Sequence, residues 1–68
     1  MISYKGLKVV LAKKDMSKTD LREKIGISTA TLAKFEKGEP VSLSVIEKIC
    51  LELACRIEEV IEILPDKE

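Results

Sequence analysis

The sequence contains no histidine and no tryptophan, and its only aromatic residues are one tyrosine and one phenylalanine. Without histidine, the chain lacks the side chain that most often acts as a general acid or base near neutral pH and that most often binds zinc. It also has no glycine-rich phosphate loop and no nucleophile beside a base. The sequence therefore argues against an enzyme, and we expect no catalytic residue, no metal, no cofactor and no small-molecule ligand.

The chain has only two cysteines, Cys50 and Cys55. Their separation matches neither a CxxC redox motif nor a zinc-ligand spacing. We interpret both as small buried hydrophobic residues, and the alternative is a redox switch.

Long hydrophobic runs are also missing, since no apolar stretch approaches the roughly 20 residues of a membrane span. No leader with a charged start and an apolar centre follows Met1. With 46% hydrophobic and 35% charged residues, the composition is typical of a helical bundle. We expect a single domain over residues 1–68, a cytoplasmic location and no membrane partner.

The net charge is zero, yet the charges are segregated along the chain. Residues 1–38 carry nine Lys/Arg and four Asp/Glu, whereas residues 39–68 carry three and eight. A basic half joined to an acidic half is typical of a small nucleic-acid-binding module. The alternative is a solvated surface whose charges happen to be uneven.

One start signal for a helix occurs five times: an apolar residue, a cap position, and a second apolar residue five positions after the first. The apolar pairs are Ile2/Leu7, Met16/Leu21, Ile27/Leu32, Val41/Ile46 and Cys55/Val60, around the caps Ser3, Ser17, Ser28, Ser42 and Arg56. Arginine cannot cap through its side chain, but Glu59 can accept a hydrogen bond from the Arg56 amide. We predict an all-α fold with helices near residues 3–14, 18–25, 29–36, 43–54 and 57–64.

The periodicity of these helices predicts which side chains face the core. The inward set is Leu7, Val10, Leu11, Leu21, Ile25, Ile27, Leu32, Phe35, Val45, Ile46, Ile49, Cys50, Leu53, Ile57, Val60 and Ile61.

Residues 17–37 predict a helix-turn-helix. Gly26 ends the second predicted helix and Ser28 caps the third, while Gly38 and Pro40 prevent the third from continuing. The outer face of the third helix carries Thr29, Ala30, Ala33, Lys34 and Lys37. A motif of this size presents one helix to the major groove of DNA.

The side chains on that face suit a DNA contact. Lys34 can donate to guanine O6 or N7, Thr29 can donate or accept, and Ala30 can contact a thymine methyl group. Lys18 and Lys37 are better suited to phosphates, which fix register without reading sequence. Lys13 and Lys14 are further phosphate candidates, although a basic helix end also complements the helix dipole. A solvated helix face is the alternative for the lysines.

Two segments, SKTDLREKIGISTATLAKFEKGEPVSL and IEKICLELACRIEEVIEIL, resemble the lambda-repressor-like, Cro/cI-type (XRE) helix-turn-helix family over essentially the whole chain. The resemblance implies a five-helix lambda repressor-like DNA-binding domain with the helix-turn-helix at helices 2 and 3. It also implies a stand-alone transcriptional regulator of bacteria or phages. We expect a repressor rather than an activator, although the direction depends on where the operator lies relative to a promoter.

In that family, residues at certain positions of the motif contact base edges, and residues at other positions lie near phosphates. The base-edge positions are Thr29, Ala30 and Lys34, and the phosphate positions are Ser17, Lys18 and Thr31. We add Ala33 to the base-contacting set and Lys37 to the phosphate-contacting set from their place on the helix. Two residues depart from the family pattern: Lys18 replaces a glutamine that braces a phosphate and the recognition helix, and Arg56 replaces the usual Ser or Asp cap.

The last predicted helix carries apolar residues on more than one face: Ile57, Val60, Ile61, Ile63 and Leu64. More apolar surface than one core-facing stripe needs indicates a second interface. We expect a homodimer that binds double-stranded DNA at a palindromic operator, with half-sites about 34 Å apart. Ordinary core packing is the alternative.

A second function from another class is a protein-interaction module, such as an antitoxin or an accessory subunit with weak or no DNA binding. The zero net charge and the small side chains of Thr29 and Ala30 favour it. Binding to DNA at low salt distinguishes the two functions.

Overall fold

The computed structural model describes residues 1–65 and contains five helices and two short strands. In chain order these are β1 (Ile2–Ser3), α1 (Lys5–Lys13), α2 (Lys18–Ile25), α3 (Thr29–Lys37), α4 (Leu43–Leu53), α5 (Ile57–Val60) and β2 (Glu62–Ile63). The predicted five-helix, mostly helical architecture is confirmed. In the described part of the chain, no helix has both the length and the apolar character to cross a bilayer.

Serine caps set the starts of the three central helices, as predicted. The hydroxyls of Ser17, Ser28 and Ser42 each accept a hydrogen bond from the backbone amide three residues later, at 3.0, 3.1 and 3.4 Å. Each such bond satisfies an amide that the helix itself leaves without a partner. The bounds of α2, α3 and α4 therefore differ by at most one residue from those predicted.

The predicted start of the first helix is wrong. Its N-cap is Tyr4, which makes no side-chain cap bond, and Ser3 lies in β1, so the proposed pairing of Ile2 and Leu7 around Ser3 does not begin a helix. Ile2 instead pairs with Ile63 in an antiparallel ladder. Backbone pairing across the ends of the chain replaces the expected helical turn.

The predicted end of the last helix is wrong for the same reason. The helix stops at Val60, and Ile61 has extended backbone angles of φ −130° and ψ 146°. Beyond β2, the Leu64 amide donates to the Met1 carbonyl at 2.8 Å, and the Met1 amino group donates to the Leu64 carbonyl at 2.7 Å. The start of α5 does follow the prediction, because the Glu59 carboxylate accepts the Arg56 amide at 2.8 Å.

Among residues 1–65, eleven buried side chains form the core: Tyr4, Leu7, Val10, Leu11, Leu21, Ile27, Phe35, Ile46, Ile49, Leu53 and Val60. All except Tyr4 belong to the predicted inward set. Ile25, Leu32, Val45, Cys50 and Ile61 pack against the core while remaining half-buried. Ile57 was predicted to face inward, but 47% of its surface is exposed, because the single turn of α5 turns Val60 into the core.

Gly6 allows α1 to lie directly against α5. A Cβ atom at this position would overlap the Glu59 carbonyl oxygen and lie 2.9 Å from the Glu59 carbonyl carbon. The missing side chain therefore sets the distance between the first and last helices.

Candidate nucleic-acid interface

The turn between α2 and α3 is built from three residues with separate roles. Gly26 adopts a left-handed conformation with φ 72°, and its amide donates to the Arg22 carbonyl at 2.9 Å. Glycine adopts this conformation without the steric cost that a Cβ brings. Ile27 is buried in the core, and Ser28 caps α3. The turn therefore ends one helix, anchors the connection and starts the next.

Aromatic packing holds α3 against the rest of the domain. The ring of Phe35 contacts the ring of Tyr4 edge-on, with centroids 4.6 Å apart. The Tyr4 hydroxyl donates to the Glu39 carbonyl oxygen at 2.7 Å, just after the helix ends. With the inner face of α3 fixed in this way, its opposite face is available to solvent.

The predicted base-contacting residues lie on that opposite face. Thr29, Ala30 and Lys34 are exposed, and Ala33 is half-buried. Positions 29, 30, 33 and 34 follow the i, i+4 spacing of one helix surface. In the described chain, this surface combines two small residues, one hydroxyl and one ammonium group.

Two of the predicted phosphate-contacting residues have hydroxyls engaged within the motif. The Ser17 oxygen accepts the Asp20 amide, which leaves the hydroxyl proton available for a further acceptor. The Thr31 hydroxyl lies 3.0 Å from the Ser28 hydroxyl, and Thr31 is half-buried. Ser17 is therefore better placed than Thr31 to donate to an external anion.

The predicted lysines differ in their surroundings. Lys37 is exposed in the last turn of α3. Lys18 forms an ion pair with Glu36, and 28% of its side chain is exposed. Partial burial and the nearby Lys8 ammonium lower the pKa of Lys18. Lys18 therefore connects α2 to α3, as the family's glutamine was expected to do.

Two further charged residues near this surface, Lys8 and Glu36, carry no distinctive signal in the sequence. Lys8 belongs to α1, and its positive charge lowers the pKa of Lys18 at the start of α2. In the sequence, only the helical period of the first helix indicates that Lys8 faces outward, and the structure shows it exposed. Glu36 lies on α3 between Phe35 and Lys37, and local spacing does not reveal that it reaches the other helix.

The predicted dimer residues differ in their exposure to solvent. Ile63 is 71% exposed and Ile57 is 47% exposed, while Ile61 and Leu64 are half-buried. Val60 is 0% exposed, so its assignment to an interface is wrong: its side chain fills the core beneath α1. Other large hydrophobic side chains that are exposed in the described chain are Met1, Val9, Leu43 and Leu51.

Within residues 1–65, no group of three or more Cys, Asp and Glu side chains is arranged to hold a metal ion. Cys50 and Cys55 are free thiols and half-buried.

Comparisons with known proteins agree with this architecture. The chain is 39% identical over 62 residues to the "Uncharacterized HTH-type transcriptional regulator YozG" of Bacillus subtilis (strain 168), covering 88% of this chain and 74% of that protein. Its structure is similar to the crystal structure of the transcriptional regulator VanUg (Form II), with a TM-score of 0.92 and 45% identity. That match covers 96% of this chain and 87% of the VanUg chain. The family model for the Cro/C1-type HTH DNA-binding domain matches residues 6–66, and the chain therefore belongs to this family of helix-turn-helix DNA-binding transcriptional regulators.

Proposed function

We propose that the protein binds double-stranded DNA sequence-specifically as a transcriptional repressor, with α3 in the major groove. The observation that carries the proposal is the exposed surface of Thr29, Ala30 and Lys34 on the helix face opposite the buried Phe35. The small side chains let the helix backbone approach the base edges, and the Lys34 ammonium can donate to guanine.

Positive groups flank this surface at both ends of the motif. Lys18 lies at the start of α2, Lys8 of α1 acts on it electrostatically, and Lys37 lies in the last turn of α3. In the proposed complex, Lys18, Lys37 and the Ser17 hydroxyl bind phosphates and fix the register of α3. If each protomer neutralises about four phosphates, log affinity falls with log salt at a slope of roughly −3.6 per protomer.

The first test is selection of bound sequences from a random DNA pool, followed by titration of the selected duplex and of a random duplex. We expect Lys34→Ala to lose about 10-fold in affinity for the selected duplex and to relax the preference at one base pair, because a base contact is worth about 1–3 kcal/mol. The random duplex should be affected much less.

Lys37→Ala is the matched control, since it removes the same charge from the same helix. We expect it to weaken binding to both duplexes alike and to reduce the salt slope by about 1. Indistinguishable behaviour of the two variants would contradict the assignment of Lys34 to base edges. Absence of binding to either duplex at about 50 mM salt would favour the interaction module instead.

We also propose that two copies act together on a palindromic operator. Exposed Ile57 and Ile63, with half-buried Ile61 and Leu64, support an isologous contact through the C-terminal end. Two-fold symmetry would place the two copies of α3 at half-sites about 34 Å apart.

Sedimentation equilibrium tests the dimer directly. We expect the wild-type protein to be dimeric in the high micromolar range and Ile63→Glu to sediment as a monomer, because a charge in an apolar contact has no partner. Leu43→Glu provides a control at another exposed apolar residue. A monomeric wild type at these concentrations would exclude this interface.

A further inference from the structure

An ion pair joins the two ends of the helix-turn-helix that are farthest from its turn. Lys18 is the first residue of α2, and Glu36 is the penultimate residue of α3. The ammonium and carboxylate groups of these two residues are in direct contact. The pair therefore links the start of α2 to the end of α3, on the side of the motif opposite the turn at Gly26.

The angle between α2 and α3 determines the position of the proposed phosphate contact relative to the proposed base contacts. At about 1.5 Å per residue, α2 and α3 are arms roughly 12–14 Å long. The proposed phosphate contact lies at the start of α2, and the proposed base contacts lie on α3. A small change at Gly26 in the angle between α2 and α3 would therefore move the Lys18 ammonium relative to Lys34. The displacement would be comparable to the length of a hydrogen bond.

The negative charge of Glu36 is unfavourable for DNA binding. Its side chain is half exposed and lies on the recognition helix between Lys34 and Lys37. A negative charge there repels phosphates and neutralises part of the Lys18 charge. A favourable effect of Glu36 on DNA recognition would therefore act through Lys18 and through the angle between the two helices.

We propose, on the basis of the DNA binding proposed above, that Glu36 is a positioning residue that raises sequence discrimination. It holds Lys18 against α3, so that the ammonium reaches a phosphate only when α3 is in register with its bases. On non-matching DNA, the same carboxylate competes with the phosphate for Lys18 and weakens binding.

The test compares Glu36→Gln with the wild type on the selected duplex and on a random duplex of equal length. We expect Glu36→Gln to bind the random duplex more tightly and to lose about two- to fivefold in the ratio of selected to random affinity. This magnitude is that of an exposed ion pair, about 0.4–1 kcal/mol. Thermal unfolding of each variant verifies that it is folded.

Glu23→Gln is the matched control, because Glu23 is an exposed acidic residue of α2 in the same motif. It removes the same charge and should tighten binding to both duplexes without changing their ratio. Lys18→Met completes a double-mutant cycle: in the Lys18→Met background, Glu36→Gln should leave the ratio unchanged.

The outcomes separate this inference from the proposed function. If the wild type discriminates the selected duplex but Glu36→Gln keeps the full ratio, only the positioning role is overturned. The same holds if Glu36→Gln lowers the ratio equally with and without Lys18. If the wild type does not discriminate between the duplexes, the DNA-reading function fails, and the positioning role fails with it.

Discussion

Gly6→Ala is expected to lower the free energy of unfolding by about 3 kcal/mol. The new methyl group would overlap the Glu59 carbonyl oxygen. The added Cβ is bonded directly to the backbone, and the oxygen that it meets is a backbone atom. No side chain can therefore rotate to relieve the overlap. Alanine is favoured over glycine in a helix by about 1 kcal/mol, which offsets only part of this cost. Urea denaturation followed by far-UV circular dichroism measures the change.

Val9→Ala in the same helix is the appropriate control, because 53% of Val9 is exposed. We expect its unfolding free energy to stay within about 0.5 kcal/mol of the wild type. Equal stability of Gly6→Ala and Val9→Ala would mean that α1 and α5 can separate at little cost. Since small domains are marginally stable, the expected loss would leave much of the Gly6→Ala protein unfolded at moderate temperature.

Ala30→Asp is expected to abolish recognition of the selected duplex, with a loss of at least about 100-fold in affinity. The substitution removes an apolar contact to the bases, which costs about 1–3 kcal/mol, and places a carboxylate in a groove lined by phosphates. Ala30 is the second residue of α3, where an acidic side chain stabilises the helix through its dipole. We therefore expect a loss of binding to come from the contact with DNA rather than from unfolding of the helix. Fluorescence anisotropy with a labelled duplex measures the affinity.

Ala54→Asp adds the same charge at a site that we expect to be remote from DNA. Ala54 is exposed at the end of α4, in a left-handed conformation with φ 52°, which aspartate tolerates. We expect at most a few-fold reduction of affinity, from the change in net charge alone. If Ala30→Asp bound as well as Ala54→Asp, α3 would not be the element that enters the groove.

The helix-turn-helix was predictable because its boundaries are determined locally. Ser17 and Ser28 are caps, Gly26 supplies the left-handed residue, and the structure places each where the sequence pattern predicted it. The exposed face of α3 follows from the helical period once those ends are known. Capping, turn chemistry and period all favour the same structure here.

The two ends of the chain were not predictable in this way. Ile61, Ile63 and Leu64 continue an apolar pattern that suits a helix as well as a strand, and short apolar runs leave that choice open. The structure selects a strand because β2 pairs with β1, some 60 residues away in the sequence. Pairing at this separation leaves no local signal.

Two functional details escaped prediction for the same reason. Glycine within a helix usually signals a weakness or an end, whereas Gly6 permits the contact with α5. The Lys18–Glu36 ion pair depends on the angle between two helices, and the sequence specifies each helix more clearly than it specifies their angle.

The pairing of β1 with β2 and the packing of α1 against α5 also determine when the domain can finish folding during synthesis. Within this domain, residues that are synthesised early have partners that are synthesised late, because Ile2 pairs with Ile63 and Gly6 packs against Glu59. Contacts between residues so far apart in the sequence require closure of a loop that includes nearly all the described residues. A nascent chain can form α2 and α3 early, but it cannot close its core until Val60 has emerged from the ribosome. The domain therefore finishes folding only as its final segment emerges.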